Sequence, residues 1–523
     1  MQRYNKKIIA LIFMLFILTN ILISEEKKDN TTDNNEVDYE NLLEDIEINE
    51  STVTKEIGFM LSLLGEHTFI YRYPVINDHS DYYGYIKAPR FNNDLGVELK
   101  FRFLKVKTHW EIDAIVTNSA DIKDILKIKP LENSIVLSPW RFKFGAGFLY
   151  YTWGTADKIN PTDNLNPFDY TVGADKEKNS VLSAFVEFYP INFLSMQVVY
   201  IPFLAKDIYP FDYIEELEDE LEINDIEEKL PDYDPSTFTL GGKINFYFQF
   251  IDFSFSYIYG FDKYYTPYID LSPVKYYGQT LFYTIDSVEL RKNRIHYFGT
   301  DFKTTISIFG IWGEICYAMS EDYLMNKYDI KNHKLSWAAG FDFNFGPNQD
   351  FYFNFQVFGD YSPLYDTNLD NDYDDTDFGS KELPFELGED EDYYKEYYYR
   401  SMVNELGGIT EGLNIGFSSS LKFPVTIQHF KLEPQISISY ILPLLYDTNE
   451  KIRYGNFYVK PEFSFSPFDS LTFLIGADLY FAWEKEEDKS NIQIARKDKF
   501  GIFHYDSNIY FEINYKWGFD FNK

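Results

Sequence analysis

Arg141-Phe-Lys-Phe-Gly-Ala-Gly-Phe-Leu-Tyr-Tyr151 alternates without a break. Phe142, Phe144, Ala146, Phe148 and Tyr150 fall on one side, and Arg141, Lys143 and two glycines on the other. A period of two is the period of a strand, so the aromatic rings share one face. The chain then runs Thr152-Trp-Gly-Thr-Ala-Asp-Lys-Ile-Asn-Pro-Thr-Asp-Asn-Leu-Asn-Pro167, with Asn-Pro at 160–161 and again at 166–167. Proline donates no ladder hydrogen bond and keeps the residue before it out of helix, so the strand stops and a structured loop begins. Rings on one face, cations on the other and a long stiffened loop at the end suit the wall of a membrane barrel.

The same alternation recurs along the chain. Val97, Leu99, Phe101 and Phe103 oppose Glu98, Lys100 and Arg102; Phe253, Phe255, Tyr257 and Tyr259 oppose Asp252, Ser254 and Ser256. Phe238, Leu240, Ile244, Phe246 and Phe248 oppose Thr239, Lys243 and Asn245, while Trp337, Phe341 and Phe343 oppose Ser336, Asp342 and Asn344. Near the C-terminus Ile509, Phe511, Ile513, Tyr515, Trp517 and Phe519 oppose Asn508, Glu512, Asn514 and Lys516. A soluble sandwich also alternates, with its apolar face inward. Here the apolar face is dense in Phe and Tyr over strands of roughly ten residues, the length that a tilted membrane strand needs.

Short and long connections take turns. Short ones are expected near 104–106, 140, 190–191, 250, 310, 346–349, 424 and 467; long ones span 74–93, 118–131, 153–179, 204–236, 263–294, 322–333, 362–407, 443–453 and 484–506. Short periplasmic turns and long outer loops are the signature of outer-membrane barrels. The expected fold is an all-β, antiparallel up-and-down transmembrane barrel of about 18 strands, or 16 if the strands at 66–73 and 132–138 fail.

Composition agrees. In 523 residues there are 45 Tyr and 50 Phe, more than an ordinary core uses and what a lipid-facing wall with interfacial girdles requires. A net charge of −35 argues against nucleic acid or an anionic surface as partner. The single cysteine, Cys316, has no intramolecular mate and reads as a small apolar wall residue.

Arg3, Lys6 and Lys7 precede an apolar run from Ile8 to Ile23, with Ser24 at a candidate cleavage site. We read residues 1–24 as a signal peptide, 25–56 as a disordered acidic periplasmic tail and 57–523 as the barrel. The rival for the first segment is an uncleaved anchor; no cysteine stands where a lipid-anchored start would need one.

Two loops are unusual. Within 207–234, Ile214, Leu217 and Leu221 sit at helical spacing after Asp212, which predicts a short surface helix. Within 362–400, Asp370-Asn-Asp-Tyr-Asp-Asp-Thr-Asp377 resembles a calcium loop superficially, but Asp375 replaces the turn glycine and Lys381 the closing glutamate. A solvated acidic loop is the better reading, so no metal and no cofactor are expected. The seven histidines show no metalloprotease spacing, and neither a G-x-S-x-G elbow nor a phosphate loop occurs. His109, near Glu111 and Asp113, reads as polar lumen wall, so no catalytic residue is expected and the chain is not read as an enzyme.

Trp153-Gly154-x-x-Asp157-x-x-Asn160-Pro161-x-Asp163, with the strands that follow to Pro202, resembles a group of bacterial outer-membrane porin-like barrels similar to the alginate-export type. The motif covers residues 132–203; elsewhere the likeness is only general barrel pattern. The resemblance implies an outer-membrane channel. The family's barrels often end on an aromatic residue, whereas here Trp517-Gly-Phe-Asp-Phe521 is followed by Asn522-Lys523, so the assembly signal is imperfect.

The functional expectation is passive passage of small hydrophilic or anionic solutes. Its partners are outer-membrane lipid, the barrel-assembly machinery and the solutes, and homo-oligomer formation is left open. The rival is a surface adhesin or structural barrel acting through acidic, Tyr-rich loops. The loop at 153–179 is expected to fold inward and narrow the pore, bringing Asp157 and Asp163 toward Lys100, Arg102, Arg141 and Lys143. Opposed charges held close together set a transverse field across the pore.

Overall fold

The structure, a computed structural model, describes residues 59–75, 89–115, 126–169, 177–208, 226–230, 237–263, 265–325, 327, 330–346, 350–363, 395, 412–427, 430–443, 454–484 and 507–522. All belong to one compact unit, Ile57–Lys523. The expected signal peptide, acidic tail, helix at 212–222 and acidic run at 370–377 lie outside the described residues.

The strands follow one another around a closed wall. The first six are β1 (Phe59–Pro74), β2 (Arg90–Phe101), β3 (Leu104–Ile115), β4 (Leu126–Leu137), β5 (Phe142–Leu149) and β6 (Val181–Ile191). Then come β7 (Leu194–Ile201), β8 (Thr239–Tyr247), β9 (Asp252–Phe261), β10 (Arg294–Ile306), β11 (Phe309–Ser320) and β12 (Lys334–Phe345). The last are β13 (Phe351–Ser362), β14 (Gly412–Lys422), β15 (Phe430–Pro443), β16 (Tyr454–Phe468), β17 (Leu471–Glu484) and β18 (Asn508–Asn522). Phe423-Pro424 interrupts β14, which resumes as Val425–Ile427 against the same partner β15, so the 19 hydrogen-bonded segments make 18 wall strands. Neighbours are antiparallel throughout, and β18 pairs with β1 from Met60↔Asn522 to Pro74↔Asn508, which closes the barrel. Both strands that the sequence marked weakly are present, in β1 and β4.

Register places like beside like. Phe341↔Phe355 and Phe343↔Phe353 lie on the outside with ring centroids 5.9 and 5.6 Å apart, while Asp342↔Asn354 and Gly340↔Gln356 lie inside. Directly opposed residues on one face touch, so rings meet rings, here tilted, and polar groups meet polar groups. Slipping β8 by one residue would turn Lys243 into lipid, at a cost of about 2–4 kcal/mol near the midplane. Lys243 instead faces inward and pairs with Asp301 at 3.3 Å.

The seam between the last and first strands has its own closure. Trp517 lies over Gly65 on the outer face, where a Cβ would strike the indole ring. Its Nε1 donates to His67 Nε2 at 3.0 Å, and His67 Nδ1 lies 2.9 Å from Asn93 Oδ1 on β2. Polar groups in a lipid-facing wall are costly unless satisfied, and this chain satisfies them across three strands.

Four short turns close beside, not at, their expected residues: at Arg102-Phe103, Asn192-Phe193, Ser307-Ile308 and Asp469-Ser470; Pro424, where another is expected, interrupts β14 without ending it. Gly and Pro are the usual marks of such turns, but Arg102 (φ 52°) and Ser307 (φ 61°) take the left-handed conformation themselves. The long segment 263–294 holds a hairpin, Thr266–Tyr276 with Gln279–Arg291, joined in parallel by Ile226–Lys229. None of this sheet was anticipated from the sequence.

Candidate functional site

The loop at 150–180 begins where β5 ends, and one asparagine fixes its root. Asn166, 1% exposed, accepts from Tyr151 N at 2.7 Å and donates to Leu149 O at 3.0 Å and Asn179 O at 2.8 Å. Both legs of the loop are therefore tied through a single carboxamide, with Pro167 stiffening the next step. A ribbon, Phe168–Asp169 with Glu177–Lys178, follows.

From this root the loop lies against the inner faces of distant strands. Trp153 is buried, donates from Nε1 to Gln197 Oε1 on β7 at 2.9 Å, and sits over Gly241 of β8. Gly154 has φ +110°, and a Cβ there would run into Thr162, Asn160 and Glu314, so both conformation and space demand glycine. Glu314 of β11 is 2% exposed. Its Oε1 accepts from Thr155 N and from Ala156 N (2.5 Å), and its Oε2 from Thr162 N (3.2 Å) and Thr162 Oγ1 (2.9 Å). Gln356 of β13, fully buried, accepts from Lys158 N at 3.1 Å and donates to Ile159 O at 2.6 Å. Ala156 and Ile159 pack on Trp312, Ala338, Phe358, Tyr458 and Tyr480. Bonds to a carboxylate are the stronger kind, so Glu314 is the principal anchor.

The wall from β18 to β4 is different. One inward row runs Lys516↔Glu66↔Asp94↔Glu111↔Lys129 across five strands. Around it Lys516 pairs with Glu66 (3.3 Å), Lys105 with Glu98 (3.0 Å), Lys107 with Glu132 (2.6 Å), and Arg90 with Asp113. Lys129 reaches Glu177 of the loop ribbon at 3.1 Å. His109, Glu111 and Asp113 occupy successive inward positions of β3, with Asp113 engaged by Arg90. Among the described residues no group of three or more His, Cys, Asp or Glu is placed to hold a metal ion.

The residues expected at the constriction are dispersed. Asp157 is exposed on the loop, while Asp163 is buried and paired with Lys178. Lys100 pairs with Glu98 at 3.3 Å, and Lys143 stands 5.9 Å from the Phe185 ring. Arg102 and Arg141 stand in short turns, over Phe103 and donating to Pro190 O respectively, at the opposite strand ends from the loop. Lys100 and Lys143 lie on the inward side of β2 and β5, whereas the two arginines lie outside the strands, where alternation does not apply. Of the motif residues, Gly154 and Asn160 gather with Thr162 at Glu314; Trp153 O lies 3.1 Å from Thr162 Oγ1, and Pro161 O accepts from Asn164 Nδ2 at 2.7 Å. The residues that sequence reasoning missed are Gln197, Glu314, Gln356, Lys178 and Lys263. Lys263 donates to Asp163 O at 2.8 Å, and burial pushes its ammonium below the ordinary lysine range, with Asp207 and Asp163 opposing.

No protein-family model matches the chain, and no curated protein matches it in sequence. Solved barrels are similar in architecture. The Pseudomonas aeruginosa outer membrane protein OpdK is 7% identical over 88% of this chain and 99% of that one, with a TM-score of 0.46. Acinetobacter baumannii OccAB3 is 9% identical over 88% and 99%, at 0.45, and a BenF-like porin from Pseudomonas fluorescens Pf-5 is 6% identical over 88% and 99%, at 0.46. None of the three is an alginate-export barrel by name, and at such identities nothing about solutes is carried over from them.

Proposed function

We propose that the chain is a porin-like channel of the cell outer membrane, passing small hydrophilic or anionic solutes, with residues 150–180 narrowing its lumen. The supporting observation is the asymmetry of the inner wall. Glu314 and Gln356 hold the loop against β11 and β13, while the wall from β18 to β4 keeps its charged rows. A barrel of this strand number leaves an aqueous interior. A loop laid along one side of it narrows the route without sealing it, and paired charges on the other side favour polar over apolar solutes. In this reading residues 1–24 direct export, 25–56 form a periplasmic tail and the assembly machinery inserts the barrel.

The test is single-channel conductance in planar bilayers, for the full chain and for a deletion of residues 155–169. Stable steps that grow in the deletion support the channel, and the reversal potential in a salt gradient reports any preference for anions. A folded barrel that stays silent in both forms overturns the channel reading in favour of the adhesin.

A further inference from the structure

We propose that the long-loop rim between β9 and β10 binds the phosphate of an anionic lipid, with Arg294 as the binding cation. Phe261↔Arg294 and Tyr259↔His296 are register partners on the outward face. Among the described strand residues that the register turns outward, Arg294 is the only arginine or lysine. It is the first residue of β10, directly after the connection that carries the outer hairpin, so it stands at the long-loop edge of the apolar belt. A cation on the lipid face is tolerated at the interface and expelled from the midplane.

The surroundings fix the guanidinium there. Its carbon lies 3.9 Å from the Phe261 ring centre, 4.9 Å from Tyr259 and 5.3 Å from Phe238, and Nη1 donates to Phe238 O at 2.6 Å. One step along the same face, His296 Nδ1 lies 2.8 Å from Tyr257 Oη, and its ring is near Tyr323, which is 59% exposed. Aromatic rings with polar tips belong at a membrane interface, and a planar guanidinium suits a phosphate there. Below it Tyr257, Phe298 and Phe255 offer an apolar surface for acyl chains. Glu321, exposed after β11, acts electrostatically on Arg294, so a bound phosphate competes with it.

The proposal rests on the outer-membrane reading only for the direction the long loops face, and its failure leaves conductance unchanged. The experiment is native mass spectrometry of the full chain in neutral detergent with phosphatidic acid or phosphatidylcholine added. The expected result is preferential retention of phosphatidic acid, falling about fivefold in Arg294→Gln, the effect of one cation near a membrane surface, and rising in Glu321→Gln. Equal retention of the two lipids overturns the proposal, as does a folded Arg294→Gln that keeps the lipid. A similar loss in Lys275→Gln, a cation on the outer hairpin, would reduce the effect to a general field and overturn it too. Displacement by inorganic phosphate would mark a free-anion site, not a lipid site. If Arg294→Gln fails to fold, Glu321→Gln decides alone: no gain there sinks the idea.

Discussion

The inner faces of β7–β13 and of β18–β4 are built from the same alternating strand, yet they hold different side chains. Under the loop stand Gly241, Ser256, Gly299, Ala338 and Gly340, with the carboxamides of Gln197 and Gln356 and the single anchoring carboxylate Glu314. Opposite, nearly every inward position of β2 and β3 is charged or polar, and the charges pair across strands. The first face is a binding surface for the chain's own backbone. Small residues give the loop room, and each polar group answers specific peptide groups, because a buried unsatisfied donor costs about 1–3 kcal/mol. The second face is a lattice of charges in which Glu98, Glu111 and Asp113 are themselves buried, and its pairs answer one another across strands and not the backbone of a loop.

If the covered face acts as a cradle, its most damaging single change is Gly154→Val. A β-branched residue at positive φ, inside occupied space, should release residues 153–162. Single-channel conductance should then approach that of the loop deletion, with an intact heat-modifiable barrel. Wild-type conductance from this variant would show that the loop does not narrow the pore.

A smaller change is expected from Glu314→Ala, which leaves the Thr155, Ala156 and Thr162 amides without their acceptor. Noisy openings at intermediate conductance should result, and Glu314→Gln, which keeps one oxygen, should be milder. Smaller still is the effect on the charged face. Exchanging Lys107 and Glu132 together should leave conductance within about a quarter of wild type, because the pair survives in reversed order. Lys107→Glu alone should move the reversal potential toward cation preference. If the exchange changes conductance as much as Glu314→Ala does, the two faces are not specialised.

The smallest effect concerns water exclusion outside the strands. Burial pushes the Lys331 ammonium down to about 8, against the opposing pull of Asp262 at 3.2 Å. A depressed folded value means that the unfolded chain holds more protons between about pH 8 and the ordinary lysine range, so stability rises with pH through that window. Urea midpoints of vesicle-embedded protein should climb less steeply between pH 8 and 10 in Lys331→Met than in wild type. Parallel slopes would show that water reaches this lysine.

The barrel was legible in the sequence because lipid demands one consistent face. Phe341, Phe343, Phe353 and Phe355 declare it at a period of two, and the connections declare the topology by their lengths. The site was only half legible. Trp153, Gly154 and Asn160-Pro161 announce a stiff, packed loop, but their partners lie on strands far along the chain, and periodicity carries no information about pairs. A signal existed at β11, whose inward residues Trp312, Glu314 and Cys316 set one acid between two apolar groups where β3 sets charges in series. The turn arginines misled because alternation tells inside from outside, not top from bottom.

The contacts that fasten the loop also impose an order in time. Thr155 meets Glu314 across 159 residues of chain, and Lys158 meets Gln356 across 198. Neither bond can form until β11 and β13 have joined the growing sheet, and contacts so distant in sequence are the slowest to gain anything from closure. The loop therefore docks late, onto a wall already built, and if it narrows the lumen as proposed, an assembling barrel passes through a stage in which that lumen is wider than it will ever be again.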